Sequence, residues 1–263
     1  MDFENQYGVL EQQQNLLEFF KVFHAFCIDN SIKYSLDWGT LLGAIRDKGF
    51  IPWDDDIDIM VDRVNFNKLI ESIGNTENLS FGIVDNLWIS SLRLTRDGNY
   101  GIYPPTIDVL VMDNAPDSRI ARKWRIILIK VLQGTLKKKP SNLKVFRNAG
   151  LLVRIIAMLI YYLGLPFSFA QKKRWYNKLA QLSDKKSTKE ITSYYEEYSC
   201  LGKYYPKDMM DEMILVTFED MEAYVVKDYH KCLVTQFGSD YMTPIKTRVN
   251  HTEKKIMKQQ LGE

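Results

Sequence analysis

Residues Gly39–Val61 read GTLLGAIRDKGFIPWDDDIDIMV. The stretch opens on a Gly-Thr turn that leads a short apolar run. It closes on four carboxylates within five positions and passes straight into a strand. Side chains alternate along a strand, so the pattern puts Asp54, Asp56 and Asp58 on one face and Ile57 and Ile59 on the other. Carboxylates two residues apart on one face can share a hard divalent cation. A Gly-Thr turn upstream can hold a phosphate against backbone N–H groups. The ordinary reading of such a run is a solvated acidic turn beside an edge strand. Here buried-type residues flank it on both sides, Phe50 to Trp53 before and Ile57 to Val61 after. Charges crowded against an apolar wall repel one another, and desolvation adds to the cost. A cation relieves both, so the pattern points to metal-assisted phosphoryl or nucleotidyl transfer.

A strand-borne metal pair needs a third oxygen ligand, and the best candidate is Asp108 in the run TIDVLVMD, Thr106–Asp113. Ile107, Val109 and Val111 share one face of that strand, and Asp108 lies on the other with Leu110 and Met112. An ionised carboxylate in so apolar a strand is costly unless it is paired or bound to metal. Asp113, ahead of the turn sequence Asn-Ala-Pro, is expected to be a strand-end residue bonded to that turn. Asp62 is expected to be a solvated strand end.

These residues resemble the signature of the LicD family in the nucleotidyltransferase-fold superfamily. Its members include bacterial phosphocholine transferases and fukutin-type ribitol-phosphate transferases. The family pattern runs G-T-L-L-G-x-x-R-x-x-G, then an aromatic or Ile, then I-P-W-D-D-D and an aliphatic-Asp pair, and Gly39–Val61 fits it throughout. The family's second Asp strand matches Ile107, Asp108, Val109 and Asp113. Its C-terminal block matches Phe218, Glu219 and Asp220, then Tyr229, then Gly238, Tyr241, Met242 and Pro244. Phe237 stands where Tyr is usual, and Val226 and Lys227 stand where a proline often precedes the Tyr-bearing stretch.

The resemblance implies an α/β (α+β) fold: a minimal nucleotidyltransferase-type mixed sheet with flanking helices, joined to a basic, mostly helical region. It implies a catalytic core over 1–116, the basic region over 117–183, and a C-terminal segment over 184–263 that packs on the core and completes the acceptor site. Asp56, Asp58 and Asp108 become the expected catalytic residues and metal ligands, holding Mg2+ or Mn2+, with two ions expected. Asp108 is also placed to take an acceptor hydroxyl's proton. Gly39 and Thr40 would meet donor phosphates. Arg46 would neutralise phosphate or pair with Asp47 or Asp37. Arg93 is expected as a phosphate contact, and Glu219 as part of the acceptor or choline pocket unless it merely neighbours a helix N-terminus. Trp53 would stack on a base or cap the acidic strand. A choline cation asks for an aromatic cage, which Tyr100, Tyr103, Tyr194, Tyr195 and Tyr198 could supply. The implied reaction moves phosphocholine from CDP-choline to a sugar hydroxyl of a cell-surface glycan, such as a teichoic-acid or lipopolysaccharide precursor, releasing CMP. Ribitol-phosphate or glycerol-phosphate transfer from a CDP-linked donor is the alternative within the fold. A non-catalytic, membrane-associated assembly protein is the alternative outside it.

The chain has 263 residues, 46% of them hydrophobic, enough for a substantial core. Cys27, Cys200 and Cys232 are scattered and read as reduced thiols, and His24, His230 and His251 form no zinc set. The acidic, polar N-terminus has no secretory pattern, so a cytoplasmic location is expected, at the inner face of the cell membrane. The net charge of +2 hides an asymmetry. From Arg119 to Lys178 there are fifteen Lys and Arg and no Asp or Glu, against 20 basic and 33 acidic residues elsewhere. Segregation of this kind implies a charged partner. The basic residues interleave with apolar blocks such as LLVRIIAMLIYYLGLPF from Leu151, which suits an anionic membrane surface better than nucleic acid. Leu151–Leu163 is too short to span a bilayer and is interrupted by Arg154. The plainer alternative is a pair of core helices with a solvated basic face.

Apolar spacing predicts a helix over Glu4–Asn30. A strand over Lys33–Trp38 and a helix over Leu41–Arg46 follow, with a loop at 47–53. A helix over Arg63–Gly74 precedes strands over Phe81–Val84 and Ile89–Thr95 around Asn86. A strand over Thr106–Met112 leads into a mostly helical Pro116–Ser183. Ile191–Tyr198 is expected as a strand, and Phe218–Asp220 as the entry to a helix over Tyr224–Phe237.

Overall fold

A computed structural model describes residues 9–77, 79–94, 104–137, 150–184 and 187–244. It divides into two compact units. The first takes in Met1–Val84, Ser91–Val111 and Asp208–Glu263, and the second Asp85–Ser90 and Met112–Lys207. The C-terminal segment is thus split, its part from Asp208 onward lying with the acidic loop.

In the first unit, helix α1 (Leu10–Asp29) buries Leu16, Phe19, Phe20, Phe23, Phe26 and Cys27. That spacing of three and four gives one apolar stripe. The stripe meets Tyr34, Phe81 and Phe218 in a cluster of rings 5.3–6.3 Å apart. The sheet runs in the order β1-β2-β5-β4-β3, formed by β1 (Ser35–Leu36), β2 (Ile57–Asp62), β5 (Thr106–Asn114), β4 (Ile89–Leu94) and β3 (Phe81–Asn86). β1 is shorter than expected because Asp37 leaves it to cap α2 (Trp38–Arg46), accepting from the Trp38 N–H. Its own N–H still donates to Asp58 O, so cap and sheet share one residue.

β2 ends at Asp62, whose carboxylate caps α3 (Arg63–Asn75) by accepting from Asn65 N at 2.7 Å. Asp62 is therefore an N-cap, not a solvated strand end; the D-x-x-N spacing puts its oxygen on the first unsatisfied N–H groups of the helix. β3 and β4 meet at Leu87, which holds a left-handed φ of 56°.

The C-terminal part of this unit departs from expectation. Residues 213–226 form a hairpin of β8 (Met213–Phe218) and β9 (Met221–Val226), and α7 begins only at Tyr229, ending at Phe237. The β-branched residues and alternation of MILVTF and MEAYVV outweigh the helical reading of Tyr224 onward. Glu219 lies in the tight hairpin turn with φ 54°, so it does not neighbour a helix N-terminus. The hairpin joins the sheet through Val226 N, which donates to Ser35 Oγ.

The second unit holds α4 (Arg119–Leu136), α5 (Leu151–Gly164) and α6 (Phe169–Ala180), as the helical reading of 116–183 expected. The end of β5 pairs with β6 (Glu190–Ser193), which pairs in turn with β7 (Tyr205–Pro206). β6 stops short of the expected Tyr198. Asp113 lies at the end of β5, as expected, and is fully buried there opposite Thr192. Tyr194 and Tyr195 are core residues here, and the Lys137 ammonium sits 3.9 Å from the Tyr198 ring centre. Tyr194 and Tyr195 are thereby closed to a choline cage, Tyr198 is half-buried under the Lys137 ammonium, and Tyr100 and Tyr103 lie outside the described residues.

Candidate active site

The acidic stretch is built differently from a continuous strand. β2 starts at Ile57, so only Asp58 is on it, and Asp54–Asp56 occupy the loop before it. A turn closed by Asp54 N donating to Ile51 O bends the chain there. The Gln13 amide of α1 clamps the bend by donating to Ile51 O at 3.1 Å and Asp54 O at 2.8 Å. Bending replaces alternation with convergence: carboxylate oxygens of Asp54, Asp55 and Asp56 lie within 4.8 Å of one another.

These carboxylates gather at the start of α2. A methyl group on Gly39 would lie 2.5 Å from Asp54 Oδ2, so only glycine lets that carboxylate come so close to the helix's first turn. Trp38, at the turn's entry, holds a left-handed φ of 45°. Thr40 uses its hydroxyl to accept from Asp58 N at 3.0 Å, fixing the first residues of β2 against the same turn. The expected phosphate role of Thr40 Oγ1 is thus shared with a structural one. Helix N-terminal N–H groups favour anionic groups.

Asp108 lies on β5, the strand next to β2. Its Oδ1 accepts from Ser91 Oγ of β4 at 2.6 Å. Arg93, two residues further along β4, shares that strand face with Ser91 and is exposed. The electrostatics bind the group together. Burial holds the Asp58 carboxyl well above its ordinary range, and the charges of Asp56, Asp108, Asp37 and Asp54 push it further. Burial also raises Asp54, followed by the charge of Asp56 and a hydrogen bond with it. Two carboxyls can share a hydrogen bond only when one carries a proton. Asp37 is raised to about 6 by burial, against the pull of bonds from Gln236 and the Trp38 N–H.

This donor set fits a divalent cation. It consists of hard oxygens, clustered and partly desolvated, with burial and mutual repulsion raising the carboxyls of Asp54 and Asp58. The oxygens that lie within reach of one ion are those of Asp54, Asp55 and Asp56, while the expected ligands Asp58 and Asp108 lie on the adjoining strands β2 and β5.

The C-terminal block braces the loop. Glu219 Oε1 accepts from Phe50 N at 2.8 Å, and Glu219 N donates to Lys48 O at 2.8 Å. Its carboxylate lies so close to Gly49 that a side chain there would overlap it. Phe218 packs edge-on to Phe50 with ring centres 4.9 Å apart. The Gln236 amide of α7 donates to Asp37 Oδ1. Glu219 thus works as a clamp on the loop preceding the acids. Arg46 binds its neighbour Asp47 at 2.8 Å, the ion-pair alternative. Gln13, Asp37, Ser91 and Gln236 escaped the sequence reading. Each is a polar residue in an amphipathic element and carries no local signal. Only Asp37, directly ahead of Trp-Gly-Thr, could have been read as an N-cap.

The profile of LicD/FKTN/FKRP, nucleotidyltransferase domain, matches residues 31–90, which hold α2, the acidic loop and β2. The lipopolysaccharide cholinephosphotransferase LicD of Haemophilus influenzae is 30% identical over 254 residues, covering 88% of this chain and 90% of that protein. The chain belongs to the LicD family. Two shorter matches are uncharacterized proteins of Rickettsia. That of R. typhi is 38% identical over 69 residues, a quarter of this chain (25%) and 22% of that protein. That of R. prowazekii is 29% identical over 111 residues, 39% and 41% of the two chains. The similarity to the Haemophilus LicD covers 88% of the chain and so extends well beyond residues 31–90.

Proposed function

We propose that this LicD family member is a phosphotransferase that moves phosphocholine from a CDP-linked donor, CDP-choline, to a sugar hydroxyl of a cell-surface glycan. The observation that carries the reading is the cluster of Asp54–Asp56 carboxylates, with oxygens within 4.8 Å of one another and Asp54 against the first turn of α2, flanked by Asp58 on β2 and Asp108 on the neighbouring β5. The near full-length similarity to a lipopolysaccharide cholinephosphotransferase supports the choice of group and acceptor class. The acceptor would be a lipid-linked glycan precursor met at the cytoplasmic face of the membrane.

In the reaction, the acceptor oxygen attacks the phosphorus that carries choline. A new P–O bond forms as the bond to CMP breaks, and CMP leaves with the electron pair. The acceptor proton goes to a carboxylate, for which Asp108 is the proposed base, held in place by the Ser91 hydroxyl. Gly39 and Thr40 present α2's N–H groups to the donor diphosphate, and Arg93 contacts it from the β4 face. A divalent ion, Mg2+ or Mn2+, held by Asp56, Asp58 and Asp108 would supply charge neutralisation for the diphosphate. Arg46 contributes only if it exchanges Asp47 for phosphate.

The test is CMP release from CDP-choline, CDP-ribitol and CDP-glycerol with a glycan acceptor. CDP-choline turnover at least about tenfold above the other two is the expected result. Preference for CDP-ribitol or CDP-glycerol would replace the transferred group. No CMP from any donor, with metal present, would leave a binding role.

A further inference from the structure

In water-soluble helices the apolar side chains go inside. α5 does the reverse. Its sequence is LLVRIIAMLIYYLG, and Gly164 is its one buried residue. Leu151, Leu152 and Leu163 are 73%, 70% and 69% exposed, and Ile155, Ile156 and Leu159 are exposed as well. The residues that turn inward are half-buried Ala157, Met158, Ile160 and Tyr161, at the spacing of one helix face. That face meets α4 closely. A methyl group on Gly134 would lie 2.6 Å from Ile160 Cγ2, and one on Gly164 would lie 2.6 Å from Thr135 Cβ. The helix is therefore held along its C-terminal half, while Leu151–Ile156 projects with every residue exposed. The turn that follows, through Leu165 and Phe167 to Phe169, is exposed and apolar too.

We propose that α5 and the turn after it are a monotopic seat in the surface of an anionic lipid bilayer. Three observations choose the occupant. The first is charge: no acidic residue occurs from Arg119 to Lys178 among fifteen basic ones. A second copy of this chain would bring the same positive field and be repelled, whereas an anionic leaflet is attracted. The second is length: 14 helical residues extend about 21 Å at about 1.5 Å each, short of the ~30 Å hydrocarbon core. No single described helix is long and apolar enough to cross, and α5 with the helical stretch from Phe169 to Ser183, which together have the length and composition, are bent by 111° at the turn between them. The third is the apolar face itself, larger than a lone surface leucine needs and continuous over consecutive turns. An interfacial helix accounts for all three. The proposal is independent of the transfer chemistry, since lipid binding and CMP release are read separately.

The experiment is flotation of the full chain with vesicles of phosphatidylcholine alone or mixed with phosphatidylglycerol, at low and high salt. Flotation with the mixed vesicles at low salt, weakening as salt rises, is expected. The variant Leu152→Ser/Ile156→Ser/Leu163→Ser changes only exposed side chains, so it stays folded. It should lose at least about tenfold in vesicle partition, because each insertion of a leucine-sized side chain is lost. Lys123→Gln/Lys178→Gln should weaken binding and flatten its salt dependence. CMP release into a water-soluble acceptor should be unchanged in all of these. Absence of flotation at low salt, or flotation that the serine variant retains in full, would overturn the proposal. So would a dimer in sedimentation that the serines dissolve without any vesicle binding.

Discussion

The acidic loop and helix α5 invert the usual rule of burial in opposite directions. Around Asp54–Asp58 the molecule gathers carboxylates into a partly desolvated pocket and secures the loop with bonds from α1 and the 219 turn. Along α5 it leaves leucines and isoleucines in the open and secures the helix by one close crossing. Burying charge and exposing hydrocarbon both cost stability. By the two proposals, the first cost would fall when a cation binds and the second when lipid covers the helix. On that reading each region lacks a different partner, and changes made in them should have opposite signatures. In the loop, small changes should cost activity and leave stability or raise it. On α5, larger changes should spare both.

The largest effect is expected from Asp58→Asn and Asp108→Ala. Each should lower kcat by about 10²–10⁴-fold, because each removes a proposed ligand and Asp108 also a base. Asp58→Asn should leave the metal-free melting temperature equal or higher, since an amide relieves the repulsion that raises the Asp58 carboxyl. CMP release and thermal melting check both halves. Retention of more than about a tenth of the activity by Asp108→Ala would return that residue to a structural role.

Next in size is the brace. Glu219→Ala removes the acceptor of the Phe50 N–H and should cost roughly 1–3 kcal/mol of stability, with a loss of turnover as the loop loosens. Glu219→Gln keeps an acceptor oxygen and should recover most of both. Equal loss in the two variants would mean that the charge of Glu219 meets substrate directly.

The pH dependence of the metal-free protein sharpens the electrostatic side. Asp37 titrates near 6 when folded and near 3.8 when unfolded. Between those values the folded state binds more protons, so stability falls as pH rises through the window and stays lower above it. The loss from Asp37 alone is of the order of 3 kcal/mol. Asp54 and Asp58 shift in the same direction and add to it. Denaturant melts in EDTA from pH 4 to 7 should show this fall, and Mn2+ at pH 7 should reverse much of it. Stability that rises over the same range would contradict the assigned burial of these carboxyls.

The smallest effect is expected on α5. Leu152→Ser/Ile156→Ser/Leu163→Ser in solution should stay within about 0.5 kcal/mol of the parent, as surface changes do. A loss of several kcal/mol would show that α5 packs as a core helix.

Much of the site was legible because its grammar is local. A glycine ahead of an apolar run, an acid-rich stretch and an apolar strand with one Asp each state their requirement within a few residues. That put Asp58 and Asp108 on neighbouring strands, with Gly39 and Thr40 in the first turn of α2 and Asp56 in the loop that leads into β2. What failed depended on distance or competition. The alternation that put Asp54, Asp56 and Asp58 on one face gave way to a bend, because Gln13, far away on α1, fixes Ile51 and Asp54. The helix expected from Tyr224 yielded to a hairpin once β9 found β8 and Ser35 to bond. That Asp113, at the end of β5, is buried was not legible because the partner that covers it, β6, lies nearly eighty residues on. In the basic region, alternation of charge and hydrocarbon was plain, but which hydrocarbon stays outside was settled only by the α4 crossing.

The central claim is that the carboxylate cluster serves donor transfer with a divalent ion. The most direct measurement follows CMP release from CDP-choline with the parent protein and with Asp56→Asn, each with Mn2+ and with EDTA, while calorimetry reads Mn2+ binding. The account expects release by the parent with Mn2+ only, a fall of at least about 100-fold in Asp56→Asn, and loss of Mn2+ binding in that variant. Asp56→Asn that binds Mn2+ and turns over like the parent would contradict it.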